Sequence, residues 1–400
     1  MANEDLKQHT AFRALWVSDT ISTAGSVVTQ IALPFIAISL LDAAAFEMGL
    51  LAAAGQAPRI LFSLYIGASI ATRPKLPLMR AAQLLRALSL LSIPLAYWGE
   101  ALTMLHLLVV ALVNGTLGLI FLYADRALLP KLVGRNLVLA ANARLRLTAT
   151  MAQTAGPSLA GAVLQVIAAP LIIMLDALSY LLSWVWLGKI DHEEEGAAET
   201  GRESPIETLK RGATFVWSEK TLRALTLSSL FATAGASAYA ALFMLFLLRD
   251  LSFTPLRVGV VLSAAGLAAV VSAAMVERVS KRLGARWAII LSTTIPILGY
   301  VAIGLAPSTF IALGMVVAGQ LLIGLATPLY QVNEMTQRQL LAPAGLLPMV
   351  SAFRTFLAGG IAPIAALCAG VLGEVLGVRE TLYIATAIFA LGLIPLRRLP

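Results

Sequence analysis

Residues 191–220 read DHEEEGAAETGRESPIETLKRGATFVWSEK, the one long hydrophilic stretch in a chain of 400 residues. Six apolar runs precede it, near 12–41, 47–72, 76–98, 102–127, 136–167 and 170–189. Six more follow, near 221–248, 255–277, 285–306, 309–333, 347–373 and 379–396. A helix needs about 20 apolar residues to cross the hydrocarbon of a bilayer. Several runs are longer than that, which implies tilt or extension into the interface. The expected fold is an all-α membrane protein of twelve transmembrane helices in two pseudo-symmetric six-helix bundles. Residues 1–190 form the N-terminal bundle, 191–220 a cytoplasmic linker with an amphipathic helix, and 221–400 the C-terminal bundle.

Within the linker, Asp191-His-Glu-Glu-Glu is acidic, and Ser204-Pro205-Ile206-Glu207 has the form of a helix cap with proline at the first helical position. Ile206, Leu209, Ala213 and Val216 then share a face, with Lys210 and Arg211 elsewhere on the helix. That pattern predicts an amphipathic helix on the inner membrane surface.

Charge gives an orientation. The gaps Arg73 to Arg80 and Arg126 to Arg135 hold three cations each, Lys189 to Arg223 holds six, and Arg278 to Arg286 holds four. The intervening gaps around Asp42, Glu100, Ala168 and Pro307 hold none, and only Arg249, Arg257 and Arg379 fall on that side. Cytoplasmic loops of membrane proteins retain Lys and Arg, so the basic gaps are expected inside. An even number of spans, with Lys7, Arg13, Arg397 and Arg398 at the ends, places both termini in the cytoplasm and the protein in the cytoplasmic (inner) membrane. The chain opens polar and runs directly into its first span, with no cleavable signal expected.

Composition excludes several classes. The chain is 59% hydrophobic and 12% charged, against about 25% charged in soluble domains. Its net charge of +8 lies at membrane edges, which suits anionic lipid headgroups rather than nucleic acid. The single cysteine, Cys368, allows no intrachain disulfide. His9, His106 and His192 are too scattered for a metal cluster, and there is no nucleophile elbow or phosphate-cradling loop. No catalytic residue, cofactor or metal is expected, and the chain is not read as an enzyme. A monomer is expected.

The halves resemble each other. Arg126-Ala-Leu-Leu-Pro follows the fourth span and Arg338-Gln-Leu-Leu-Ala-Pro the tenth. Spans 1, 4, 7 and 10 each carry a polar stripe at helical spacing: Asp19, Thr23, Ser26 and Gln30; Asn114, Gly118, Phe121 and Asp125; Thr226, Ser229, Thr233 and Ser237; Gln320, Gly324, Thr327, Gln331 and Glu334. Such faces avoid lipid. They can act as glue between helices or line a hydrated cavity. Their recurrence at equivalent spans predicts a cavity at the repeat interface, as in transporters built from repeats. Thr23, Ser26, Gln30, Asn114, Thr233, Ser237, Thr327 and Gln331 are expected to line it, with Arg59 near the middle of span 2 as a partner for an anionic group or a carboxylate.

Charges inside spans mark function or pairing, because a lone charge at the bilayer centre costs at least roughly 2.5–3.5 kcal/mol. Asp19 lies about two turns, roughly 10 Å, from the inner end of its helix. It is the first candidate for proton coupling, with Asp125 and Glu334 next; the alternative is a permanent ion pair. Arg126, Arg144 and Arg354, towards the inner ends of spans, are candidate gating residues. Asp176, in Leu-Asp-Ala-Leu-Ser-Tyr, reads as structural.

These residues resemble the major facilitator superfamily, and more closely its drug-exporter branch that includes macrolide efflux proteins and the enterobactin exporter. The resemblance runs through Phe12-Arg-Ala-Leu-Trp16, Ala32-Leu-Pro34, Leu128-Leu-Pro-Lys-Leu-Val133, Asp176-Ala-Leu-Ser-Tyr180, Leu222-Arg-Ala-Leu225 and the Arg338 to Pro363 stretch. Gly156-Pro157 with Gly161 resembles the antiporter motif of helix 5, which implies a gating role for Gly156 and Pro157. The family's Asp-Arg pair between helices 2 and 3 is replaced here by Ala71 and Thr72, and the Gly-Arg expected after Pro343 by Leu347-Pro348-Met349. The resemblance implies proton-driven export of amphipathic small molecules, drug- or macrolide-like, by alternating access. The alternatives are a siderophore or lysophospholipid transporter, or a non-transporting membrane scaffold or sensor derived from one. The expected partners are a small-molecule substrate, protons and the lipid bilayer.

Overall fold

The apolar runs are helical over most of their described length, and there is no strand among the described residues. The computed structural model describes residues 6, 9–62, 65–66, 70, 73–134, 136–191, 205–343 and 345–397. Ala71, Thr72, His192 and Ser204 lie outside them.

In chain order the helices are α1 (Thr10–Ser39), α2 (Ala45–Gln56), α3 (Pro58–Leu61), α4 (Lys75–Trp98), α5 (Met104–Val133), α6 (Val138–Val163), α7 (Ala169–Leu187) and α8 (Pro205–Ser218). Then come α9 (Lys220–Leu245), which runs into a π-helical turn over Phe246–Asp250, α10 (Pro255–Gly304), α11 (Ala312–Leu341), α12 (Leu347–Leu376), α13 (Val378–Leu391) and α14 (Leu393–Leu396). Among the described residues, nine helices are long and apolar enough to cross a membrane. Three departures from that simple pattern account for the remaining spans. The helix α10 is two spans meeting at Gly284, whose φ of 76° and ψ of 158° turn the chain; only glycine takes such a backbone readily. The second span is interrupted after α2 and again after α3. The helix α6 carries Arg144 and Arg146 within an otherwise suitable length.

The chain is a multi-pass, all-α membrane protein of twelve transmembrane helices. Large apolar side chains such as Leu88, Leu105, Leu175, Leu267 and Val371 are exposed on its helices. In water that surface would be costly; against acyl chains it is the natural exterior.

Two compact units are present: residues 1–43 with 54–200, and residues 44–53 with 201–400. In the first, α1 packs on α6 and α7, and α4 on α5 and α7. In the second, the two limbs of α10 pack on α11, and α9 packs on α12 and α13. Lipid tails are as apolar as the helices, so close contact rather than burial from water holds such bundles together. Gly299 and Gly319 illustrate it: a methyl added to either would come within 2.6 Å of the other's carbonyl oxygen.

The helix expected in the linker is present as α8, and it belongs to the second unit. Phe215 and Val216 of this helix are packed against protein. Val216 packs with Ala342 and Val350, and Phe215 joins Leu347 and Phe353 around them. Gly212 meets the backbone of Met349. Lys210 and Arg211 are exposed.

Candidate functional site

In the first unit, α1 supplies the organising face. Its residues Trp16, Asp19 and Ser26 meet α6, α5 with α6, and α7 in turn. Asp19 lies within electrostatic reach of Arg146 of α6, and Asp125 of α5 within reach of Asp19. Asp125 stands beside Arg126, and its Oδ1 is buried with no hydrogen-bond partner among the described residues. The Arg144 guanidinium lies 4.6 Å over the ring of Trp16, within cation–π range. Two carboxylates and three guanidinium groups, from five positions on α1, α5 and α6, thus lie in one region of this unit. Carboxylates close enough to feel each other's charge titrate as a pair.

Further along the same unit lies a second polar network. Ser18 and Ser183 hydroxyls are 2.6 Å apart, and Gln83 Nε2 donates to Ser183 Oγ at 2.7 Å. Arg86 donates to Gln83 Oε1 at 3.4 Å and to the Tyr180 hydroxyl, and its guanidinium lies 4.0 Å from the centre of the Tyr180 ring. Ser26 Oγ meets that same hydroxyl at 2.9 Å. Asp176 is fully buried, with Thr29, Arg86, Ser179 and Tyr180 around its carboxylate. A buried charge without a partner is expensive; Arg86 lies within electrostatic reach of Asp176, whose Oδ2 has no hydrogen-bond partner among the described residues.

In the second unit the charges are arranged differently. Glu334 of α11 is 1% exposed. Its Oε1 lies 3.0 Å from Arg338 Nε and 3.2 Å from Arg354 Nε, ion pairs without hydrogen-bond alignment. Arg354 also donates through Nη2 to Ser229 Oγ of α9 at 3.1 Å. The first pair spans one helical turn, Glu before Arg, the favourable order. The second ties α11 to α12.

The remaining expected residues divide plainly. Ser26 and Asn114 face neighbouring helices of their own unit: Asn114 Nδ2 donates to Ser89 Oγ of α4 at 2.7 Å. Thr23, Thr233 and Ser237 are half-buried, and Gln30, Arg59, Arg126, Thr327 and Gln331 are exposed. Pro157 is buried, and Gly156 packs directly on Val27 of α1, where a methyl would come within 2.7 Å of Val27 Cγ1. The structure therefore brings together Asp19 with Asp125, and Glu334 with Arg354. It leaves Arg59 apart from both groups of contacts. The network of Gln83, Arg86, Tyr180 and Ser183 went unassigned in the sequence. Its signal was there as Gln83 and Arg86 three residues apart, and Asp176, Ser179, Tyr180 and Ser183 at helical spacing on α7.

A family model described as transmembrane secretion effector matches residues 6–400. The chain belongs to that family. The uncharacterized MFS-type transporter YvqJ of Bacillus subtilis (strain 168) is 26% identical over 183 residues, 44% of this chain, and the match spans 43% of that protein's length. Among solved structures, the nucleoside transporter NupG superposes with a TM-score of 0.79 at 12% identity, covering 98% of this chain and 100% of that one. A bacterial homologue of the iron transporter ferroportin, in an inward-facing state, gives 0.75 at 15% identity over 97% and 98%. A bacterial homolog to the human lysosomal transporter Spinster gives 0.71 at 14% over 98% of each chain. At these identities the likeness establishes the fold, which is that of the major facilitator superfamily.

Proposed function

We propose that this member of the transmembrane secretion effector family is a secondary active transporter that exports amphipathic small molecules across the cytoplasmic membrane by alternating access, driven by proton entry. The observation that carries the reading is the pair Asp19 and Asp125, drawn from the first and fourth spans, with Arg146 and Arg126 beside them. Carboxylates that feel each other's charge titrate as a pair, and the adjacent guanidiniums offer charges to pair with when a proton leaves. Coupling needs such a site: a group whose protonation changes its partners, set where two helices meet.

Both termini and residues 191–220 lie in the cytoplasm in this reading, and the protein acts as a monomer. Arg126, Arg144, Gly156, Pro157 and Arg354 serve gating; the close contact of Gly156 with Val27 makes α6 sensitive to the position of α1. Thr23, Gln30, Arg59, Thr233, Ser237, Thr327 and Gln331 offer the half-buried and exposed polar surface that a cargo would touch. The fold does not name the cargo, since one fold carries many functions: a nucleoside transporter shares it with a homologue of an iron transporter.

The test is reconstitution of the full chain into vesicles with an imposed pH gradient and a panel of amphipathic compounds. We expect gradient-dependent movement of some of them, lost in Asp19→Asn. No gradient-dependent flux for any compound, with a partner protein recovered instead, would replace this reading with that of a membrane scaffold.

A further inference from the structure

We propose that the Glu334, Arg338 and Arg354 cluster is an oxyanion-binding subsite, taking a carboxylate or phosphate group carried by an amphipathic molecule. Two guanidiniums share one carboxylate oxygen here, so the cluster carries one more positive charge than negative. The side chains of Arg338 and Arg354 are only 13% and 25% exposed, and that of Glu334 only 2%. A surplus cation held this far from water is costly until an anion joins it.

The donors for that anion are left over. Each guanidinium has five N–H groups in a planar fork. Both Nε groups lie at ion-pair distance from Glu334 Oε1 but out of hydrogen-bond alignment, so both stay unsatisfied as donors, and Ser229 takes Arg354 Nη2. The fork geometry suits two parallel hydrogen bonds to one carboxylate or phosphate. Glu334 is seven residues before the end of α11 at Leu341, about 10 Å along the helix. One and two turns further in lie Gln331 and Thr327, both exposed, so an amphipathic molecule bound by its anionic end would run along that face. In this arrangement Glu334 is a resident competitor: it holds the two arginines in place and gives way to, or shares them with, an arriving oxyanion.

The shared chemistry has two sources. One is the anionic end of a transported molecule, in which case the subsite rests on the transport reading above. The other is the phosphate of an inner-leaflet lipid.

The experiment uses the purified full chain in phosphatidylcholine nanodiscs. Two probes are titrated, 2-naphthoate and its neutral amide, 2-naphthamide, and binding is read as the ligand-dependent rise in thermal midpoint. We expect naphthoate to bind and naphthamide not to. Arg354→Gln and Arg338→Gln each weaken naphthoate about tenfold or more, from the loss of a charge-assisted fork. Arg354→Lys keeps the charge without the fork and falls between. Glu334→Gln tightens binding several-fold, since it removes the competing anion. Addition of phosphatidylglycerol weakens naphthoate in the parent but not in Arg354→Gln if lipid phosphate is the natural occupant, and leaves it unchanged if a soluble oxyanion is.

Equal binding of acid and amide overturns the proposal. So does unchanged naphthoate affinity in Arg354→Lys, a variant that preserves charge and is expected to fold. Weakening in Glu334→Gln to the level of Arg354→Gln also overturns it, by making the carboxylate part of the site rather than its competitor. The measurement needs no pH gradient, so its failure alongside intact Asp19-dependent flux removes only the subsite. Naphthoate binding without flux of any compound removes only the transport reading.

Discussion

The C-terminal ends of the fourth and tenth spans are built on nearly the same letters and place their acids differently. Arg126-Ala-Leu-Leu-Pro closes one and Arg338-Gln-Leu-Leu-Ala-Pro the other. In the first, the acid sits one residue before the arginine, at Asp125, and Leu122 occupies the position four before. In the second, the acid sits four residues before, at Glu334, and Gln337 occupies the position one before. On a helix, residues four apart stack, whereas neighbours point about 100° apart. Glu334 therefore folds onto its own Arg338, while Asp125 lies within electrostatic reach of Asp19 on another helix. A shift of three positions separates an acid paired on its own helix from one that senses the charge of an acid on another. Related halves thus have distinct parts: we read the first as a proton site and the second as a cation-rich clasp.

The sharpest way to break that contrast is to remove each acid in turn. We expect Asp125→Asn to abolish gradient-driven flux in vesicles, by a factor well beyond ten, and Glu334→Gln to retain gradient dependence. Equal loss in both would erase the distinction. Stability should run the other way. Glu334→Gln leaves two mostly buried guanidiniums without their shared carboxylate, which costs roughly 3 kcal/mol in reversible unfolding. Asp125→Asn removes no ion pair of that kind and should cost far less.

A smaller effect is expected at the second network of the first unit. Asp176→Asn removes the carboxylate facing Arg86, but Tyr180 and Gln83 still hold that guanidinium. We expect about 1–2 kcal/mol of destabilisation with flux preserved, so that Asp176 separates from Asp19 and Asp125 in kind. The smallest effect belongs to Lys281 and Glu277, an ion pair with the same four-residue spacing as Glu334 and Arg338. Both of its side chains are more than 70% exposed. Lys281→Ala should leave the thermal midpoint unchanged, since exposed pairs contribute little. A clear drop there would mean that spacing, rather than burial, sets the strength of the buried clasp.

The twelve spans and the linker helix could be read from the sequence because hydrophobic runs and helical spacing are local properties. Asp19 and Asp125 could be singled out on the same ground, as acids in apolar helices. Their pairing could not: Asp19 and Asp125 come together only through the packing of α1 and α5. The same holds for Arg354 and Glu334 across two helices, and for Arg86 with Tyr180, 94 residues apart. Polar stripes showed which face avoids lipid but not what covers it. Ser26 and Asn114 turn to Tyr180 and Ser89, and Phe215 and Val216 of α8 turn to the start of α12. An amphipathic pattern has the same form whether protein or lipid lies against it.

The role of the Asp19 and Asp125 pair is tested most directly by comparing two kinds of movement in the same vesicles. Exchange of labelled for unlabelled cargo needs no gradient, whereas accumulation against a concentration difference needs the proton. We expect Asp125→Asn to keep exchange near the parent rate and to lose accumulation. If both fall together, or if accumulation survives, the two carboxylates are not where the proton couples.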